Sequence, residues 1–182
     1  VSGGGSVRVR SALPADVRRI RELVQPYSER RILLEKEWVG YYEAVQEFVV
    51  AEQVDDDGRP GPVVGCGALH VMWQDLAEIR TLAVDPALRG QGVGHALLDA
   101  LVGRARRLGL RRLFCLTFEV DFFTAHGFDE IDGTPVTPDV YGELLRSHDD
   151  GVAEFLDLAR VKPNTLGNTR MLLELEPPAS AG

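Results

Sequence analysis

Three glycines fall within five residues, at Gly90, Gly92 and Gly94, between an apolar strand-like run, Ile79 to Val84, and a long helical pattern starting near Gly92. Glycine allows positive φ and lets the backbone approach a ligand closely. A helix N-terminus presents unpaired N–H groups and a partial positive charge. Together these features predict an anion site, best suited to a pyrophosphate. Two familiar phosphate loops do not fit. A Walker A loop places Lys and then Ser or Thr after its last glycine, whereas His95 and Ala96 follow here. A Rossmann fingerprint reads G-x-G-x-x-G after the first strand of its unit; this one reads G-x-G-x-G and lies mid-chain.

A third spacing does fit. Arg89, Gly92 and Gly94 supply Gln/Arg-x-x-Gly-x-Gly/Ala, which resembles the acetyl-CoA pyrophosphate loop of the GNAT N-acetyltransferase superfamily. The resemblance implies that Arg89, Gly90, Gln91, Gly92, Val93, Gly94 and His95 contact acetyl-CoA, a co-substrate. The plainer alternative is a glycine-rich turn before an ordinary helix, so the surrounding chain has to decide.

At 182 residues and 20.0 kDa, the chain is most simply one domain with a full core. The formal net charge of −8 argues against a nucleic-acid partner. No apolar run reaches the ~18–20 residues of a membrane span, and no signal peptide is visible. Cys66 and Cys115 both lie in apolar strand-like runs, as buried thiols of a reduced, cytoplasmic protein do. No clustered ligands suggest a metal site. Residues 1–6 are Gly/Ser-rich and read as a disordered segment, 7–176 as one domain, and 177–182 as a loose tail. A homodimer is left open.

The elements alternate. Val7 to Ser11 reads as a strand, and Pro14 to Tyr27 as a helix with Val17, Ile20, Leu23 and Val24 on one face. Ile32 to Phe48 is apolar at helical spacing; Phe48 to Val54 is a strand and Asp55 to Pro62 a turn. Val63 to Trp73 and Ala77 to Val84 read as neighbouring antiparallel strands. Gly92 to Leu108 is the clearest helix, with no carboxylate in its first turn and Gly109 as C-cap. Arg112 to Phe118 is a strand, Asp121 to His126 a short helix, and Arg170 to Glu176 a closing strand.

This order resembles the GNAT fold. The resemblance implies an α/β (α+β) architecture: a mixed, mostly antiparallel sheet with helices on both faces and a splayed fourth and fifth strand. Pantetheine would lie in that splay against Leu82, Ala83 and Val84 of the fourth strand. The segment Phe122-Phe123-Thr124-Ala125-His126-Gly127-Phe128 resembles the family's Tyr-x-x-x-Gly-Phe stretch, which makes Phe122 and His126 further contacts to CoA. Core packing is the other reading of these aromatic residues.

A closer likeness runs from about Val7 to Leu175. Leu33-Leu34-Glu35-Lys36, Glu78 to Val84 and Leu113 to Thr117 resemble the acetyltransferase domain of N-acetylglutamate synthases. Gly151 to Leu156 and Val161 to Asn168 resemble the short, stand-alone form found in actinobacteria. The likeness implies transfer of acetyl to the α-amine of glutamate, the opening step of arginine biosynthesis. An α-amine with a pKa near 8 is only about 10% neutral at pH 7, so a base is needed. Glu78 is the candidate, with a solvated strand-end carboxylate as its alternative. Under period-two alternation Arg80 shares its facing, either holding a substrate carboxylate or pairing with Glu78. Two substrate carboxylates call for cations, and Lys36, Arg80, Lys162 and Arg170 are candidates. Thr117 and Asn164 are candidate polar contacts.

Where many family members carry a Tyr as acid to the CoA sulfur, this chain has Phe123, which leaves Thr117, Tyr141 or solvent to protonate the thiolate. Two rivals stay open: acetylation of another amine (glutamine, a peptide N-terminus or a small amine), and a non-catalytic acyl-CoA-binding module.

Overall fold

A computed structural model describes residues 6–33 and 36–177. Leu34 and Glu35 of the lysine-bearing motif lie outside the described residues, as do Val1–Gly5 and the last five positions. Seven strands are described: β1 (Ser6–Ser11), β2 (Phe48–Val54), β3 (Pro60–Trp73), β4 (Leu76–Val84), β5 (Arg112–Thr117), β6 (Asp129–Glu130) and β7 (Thr169–Glu174). They pair in the order β1-β2-β3-β4-β5-β7-β6. β4 and β5 run parallel, through Leu76↔Arg112, Ala77↔Leu113 and Glu78↔Phe114. The β1–β2, β2–β3, β5–β7 and β6–β7 pairs are antiparallel. This is the mixed sheet expected of an α/β GNAT chain.

Two compact units share the strands. One runs up to Leu69 and resumes over Arg80–Arg104; the other takes His70–Ile79 and the chain from Ala105 on. β3 and β4 contribute to both.

In the first unit, helix α1 (Val17–Glu29) buries Val17, Ile20, Leu23 and Val24, the stripe its spacing predicts. They pack with Phe48, Val50, Cys66, Ala68 and Ala83. The helix ends where Arg31 enters the left-handed region (φ 58°). The Arg31 N–H then bonds Ser28 O at 2.9 Å and the Ile32 N–H bonds Tyr27 O at 2.8 Å. These two bonds form a Schellman cap. Among the described residues, the helical expectation over Ile32 to Phe48 shrinks to α2 (Trp38–Glu43) and a 3-10 turn at Val45–Glu47. Of the large apolar residues of α2 only Tyr41 is buried, while Trp38, Val39 and Tyr42 are exposed. One anchored residue does not extend a helix far.

The expected turn over Asp55 to Pro62 is also shorter. β3 already pairs at Pro60, opposite Val54, because Asp55 Oδ1 accepts the N–H groups of Asp57 and Arg59 and tightens the reversal.

Helix α3 (Val93–Arg107) seats on β3 over two glycines. A Cβ on Gly65 would lie 2.8 Å from Leu97 Cδ1, 3.0 Å from Val93 Cγ1 and 3.2 Å from Ala83 O. One on Gly67 would lie 2.9 Å from Leu101 Cδ1. The missing side chains let the first turns of α3 press onto the strand, which fixes where its N-terminus points.

In the second unit, Gly109 (φ 76°) terminates α3 as expected, with the Leu110 N–H on Ala105 O. Phe114, Met72, Leu76 and Leu172 form a core with Leu144, Val152, Phe155 and Leu156. Leu144 comes from helix α5 (Pro138–Leu144), Val152 and Phe155 from α6 (Asp150–Phe155) and Leu156 from the C-cap of α6; the apolar spacing gave no helix for either. Their capping residues are legible in retrospect. Thr137 before Pro138 accepts the Val140 N–H, and Asp149 accepts the Val152 N–H at 2.9 Å. Between β5 and the tail lies α4 (Val120–Thr124), and before β7 lies the one-turn α7 (Lys162–Thr165).

Candidate active site

The glycine loop has the geometry its sequence predicts. Gly90 and Gly92 take φ of 75° and 84°, and a Cβ on either would meet no atom within 4 Å. The space above both is open, so their backbone is free to approach a ligand. Gly94 has an ordinary φ and belongs to the first turn of α3, which carries no acidic residue. Val93 is buried beneath that turn, while Gln91 and His95 are exposed. These observations fit a diphosphate: open backbone, a helix N-terminus and no competing carboxylate.

Arg89 lies at the lip of the loop. Its guanidinium carbon sits 5.2 Å from the centroid of the Tyr27 ring, a cation–π distance. Tyr27 also donates its hydroxyl to Val84 O at 2.7 Å. Just beyond, the Asp85 N–H bonds Val64 O at 2.8 Å, and the Asp85 carboxylate accepts from Arg19 at 2.9 Å. The loop therefore leaves β4 from a tethered start. Neither Tyr27 nor this tether was read from the sequence, because a residue at the end of a helical stripe carries no periodic signal.

Along β4, Leu82 and Val84 are half-buried and Ala83 is buried. Thr81 has φ 56°, a conformation a β-branched residue rarely adopts. Its pleat is broken there, and Thr81 O is faced by the buried Cys66 thiol at 3.7 Å. Nothing in the sequence of β4 signals this break. Arg80, just before it, is half-buried.

In the second unit, Glu78 is 4% exposed and sits where β4 pairs with β5. A buried carboxylate is far from the solvated strand end that was its alternative. Burial, with the Glu78 charge as a smaller contribution, pushes the Cys115 thiol well above the usual range. Burial pushes Cys66 up to about 12. Neither thiol is a nucleophile near neutral pH.

Thr117 is buried at the end of β5, its hydroxyl accepting the Glu119 N–H at 2.8 Å. Phe123 packs edge-on between Phe122 and Phe128, with centroids 5.2 and 5.1 Å away. Phe122 also stacks near His126, at 5.1 Å. Tyr141 directs its hydroxyl to Leu156 O at 3.5 Å. Arg170 donates to Glu154 O at 2.8 Å, Gly133 O at 2.9 Å and Phe155 O, and lies 5.0 Å over the Phe114 ring. Its guanidinium thus holds the C-terminal end of α6. Lys162 forms an exposed ion pair with Asp157. Lys36 is half-buried in the first unit, and the Asn164 side chain lies outside what is described. Among the described residues no cluster of His, Cys, Asp or Glu forms a metal site, and no helix is long and apolar enough to cross a membrane.

Comparison with known proteins gives this geometry a context. The signature of the acetyltransferase (GNAT) family matches residues 16–128, more than half of the chain. An amino-acid acetyltransferase of Mycobacterium tuberculosis is 61% identical over 167 residues, which cover 92% of this chain and 94% of that protein. An amino-acid acetyltransferase of Aeromonas salmonicida is 32% identical over 133 residues, and the chain spans only 29% of its length. A crystal structure of Rv2747 from M. tuberculosis, in complex with CoA and NLQ, superposes with a TM-score of 0.87 at 60% identity, covering 93% of this chain and 99% of the other. N-acetylglutamate synthase from Neisseria gonorrhoeae, complexed with coenzyme A and N-acetyl-glutamate, superposes with a TM-score of 0.71 at 25% identity, covering 94% of this chain and 35% of that one. The chain belongs to the GNAT acetyltransferase family.

Proposed function

We propose that this chain is an acetyl-CoA-dependent amino-acid N-acetyltransferase whose acceptor is the α-amine of L-glutamate. One observation carries the first half: an open glycine loop over an acid-free helix N-terminus, in a chain 61% identical to an amino-acid acetyltransferase along nearly that protein's whole length. The glutamate half is supported by the N-acetylglutamate synthase fold match and by the sequence likeness around Lys36, Glu78 and Arg80. The product would feed arginine biosynthesis in the cytoplasm.

In this reading Glu78, through a water, takes the proton that leaves the glutamate ammonium. The neutral amine attacks the thioester carbonyl carbon and the C–N bond forms; the C–S bond then breaks as the attacking nitrogen gives up its second proton to solvent. Backbone N–H groups beside the Thr81 break offer donors to the developing oxyanion. Phe123 has no proton to give and is buried among aromatic rings, so the departing thiolate takes its proton from solvent. Arg80 and Lys36 hold the substrate carboxylates. Arg170 and Lys162 already serve Glu154, Phe155 and Asp157, and are the weaker candidates.

Incubation with acetyl-CoA and equimolar glutamate and glutamine, followed by mass analysis, tests the assignment. N-acetylglutamate as the dominant product supports it. N-acetylglutamine in its place moves the acceptor to the amide, and absence of both products rejects the amino-acid reading.

A further inference from the structure

We propose that Tyr27 is a positioning residue for acetyl-CoA, setting the pyrophosphate loop by holding Val84 and Arg89 at once; this rests on reading the loop as the CoA site. Three separate interactions converge on the one residue. Its hydroxyl donates to Val84 O at 2.7 Å, at the last residue of β4. Its ring lies 5.2 Å beneath the Arg89 guanidinium carbon. Its backbone carbonyl accepts the Ile32 N–H at 2.8 Å and so closes the cap of α1.

The ring is partly buried against the first-unit core, so the platform under Arg89 is fixed rather than floppy. A long cation free in solvent loses rotamer freedom when it meets a phosphate. Stacking on a fixed ring removes part of that loss before the ligand arrives. The hydroxyl does the same for the backbone, because the strand cannot fray at Val84 without breaking that bond. Only four residues, Asp85 to Leu88, separate Val84 from Arg89. The Tyr27 carbonyl also accepts the Leu33 N–H at 3.4 Å, so the end of α1 is held on the residue that carries the ring.

The substitutions separate the two contacts. Tyr27→Phe keeps the ring and removes the hydroxyl; Tyr27→Leu removes both. In the intact chain, Tyr27→Phe is expected to raise the acetyl-CoA dissociation constant and KM about five-fold, and Tyr27→Leu about twenty-fold, as expected for loss of a hydrogen bond and then a cation–π contact. The loss falls on KM for acetyl-CoA rather than on kcat. Tyr27→Leu combined with Arg89→Ala should cost less than the product of the two single effects, because they share one contact.

Unaltered acetyl-CoA affinity in folded Tyr27→Phe and Tyr27→Leu overturns the proposal. So does a lowered Tm with affinity unmoved, which is what a purely structural tyrosine would give. Should Tyr27→Leu fail to fold, Tyr27→Phe alone and in combination with Arg89→Ala decides by the same criteria. A native chain that binds no acetyl-CoA is a different result: it removes the CoA reading of the loop, and this proposal with it.

Discussion

The glycine loop and the tail from α5 to β7 are built by opposite means. The loop is shaped by backbone: Gly90 and Gly92 at positive φ, open space above them, and the first turn of α3. The tail is held by side chains that reach for backbone elsewhere. Arg170 spans three carbonyls on two segments, and Thr137 and Asp149 cap the two helices that bury Leu144 and Phe155. A backbone site is written in local sequence, since glycine spacing and helix onset are local. A side chain's partner is not. Arg170 counts as an available cation in a sequence and is an intramolecular clamp in the fold.

The largest effect is expected at the carboxylate. Glu78→Gln should lower turnover by about 10²–10³, the usual contribution of a general base, while acetyl-CoA affinity stays within about two-fold. Stopped-assay kinetics beside calorimetry would show it; equal turnover across the pH range would remove Glu78 as base. Next comes the seat of α3. Gly65→Val drives a branched side chain into Leu97, Val93 and Ala83 O, and should cost about 1–3 kcal/mol of stability. It should also weaken acetyl-CoA binding, because the helix end that forms the loop is displaced. Stability lost with affinity intact would separate the loop from its supporting strand.

The contrast between cations is sharpest at Arg170 and Lys162. Arg170→Met removes charged donors from the Glu154, Phe155 and Gly133 carbonyls and should cost about 2 kcal/mol in urea unfolding. Lys162→Met breaks an exposed pair and should stay within about 0.5 kcal/mol. Lys162→Met raising the glutamate KM several-fold, with stability unchanged, would return that lysine to the substrate site.

The smallest effect concerns acid. The Arg8 and Arg10 guanidinium groups hold the buried Glu52 carboxyl below the usual carboxylate range, and Arg10 does the same for Asp16. A folded-state pKa below the unfolded one adds stability that is complete above the ordinary carboxylate range of about 4 and lost as pH falls toward the folded values. Tm should therefore decline below about pH 4, and Glu52→Gln should flatten that decline. An identical acid profile in the variant would assign the acid sensitivity elsewhere.

Much of the fold was legible because its strongest signals are periodic. The α1 stripe Val17, Ile20, Leu23 and Val24 followed from spacing, and the C-cap of α3 from Gly109. The over-long helix after Ile32 failed because Trp38, Val39 and Tyr42 are apolar without being buried. Helices α5 and α6 were missed because each is short and carries its signal in a cap rather than a stripe. At the site, the positive φ of Gly90 and Gly92 was readable, whereas the burial of Glu78 was not, since a strand-end carboxylate is as easily solvated. The left-handed Thr81 was not, since nothing marks a threonine as adopting φ 56° in a strand. Tyr27 was not either, because its partners Val84 and Arg89 lie 57 and 62 positions on.

The most direct test of the central claim is the steady-state kcat/KM for thiol release from acetyl-CoA, measured for the native chain with each of the twenty amino acids. The account predicts glutamate as the best acceptor, with release matched mole for mole by N-acetylglutamate. Faster turnover with another amine, or acetyl-CoA binding without release for any of them, would contradict it.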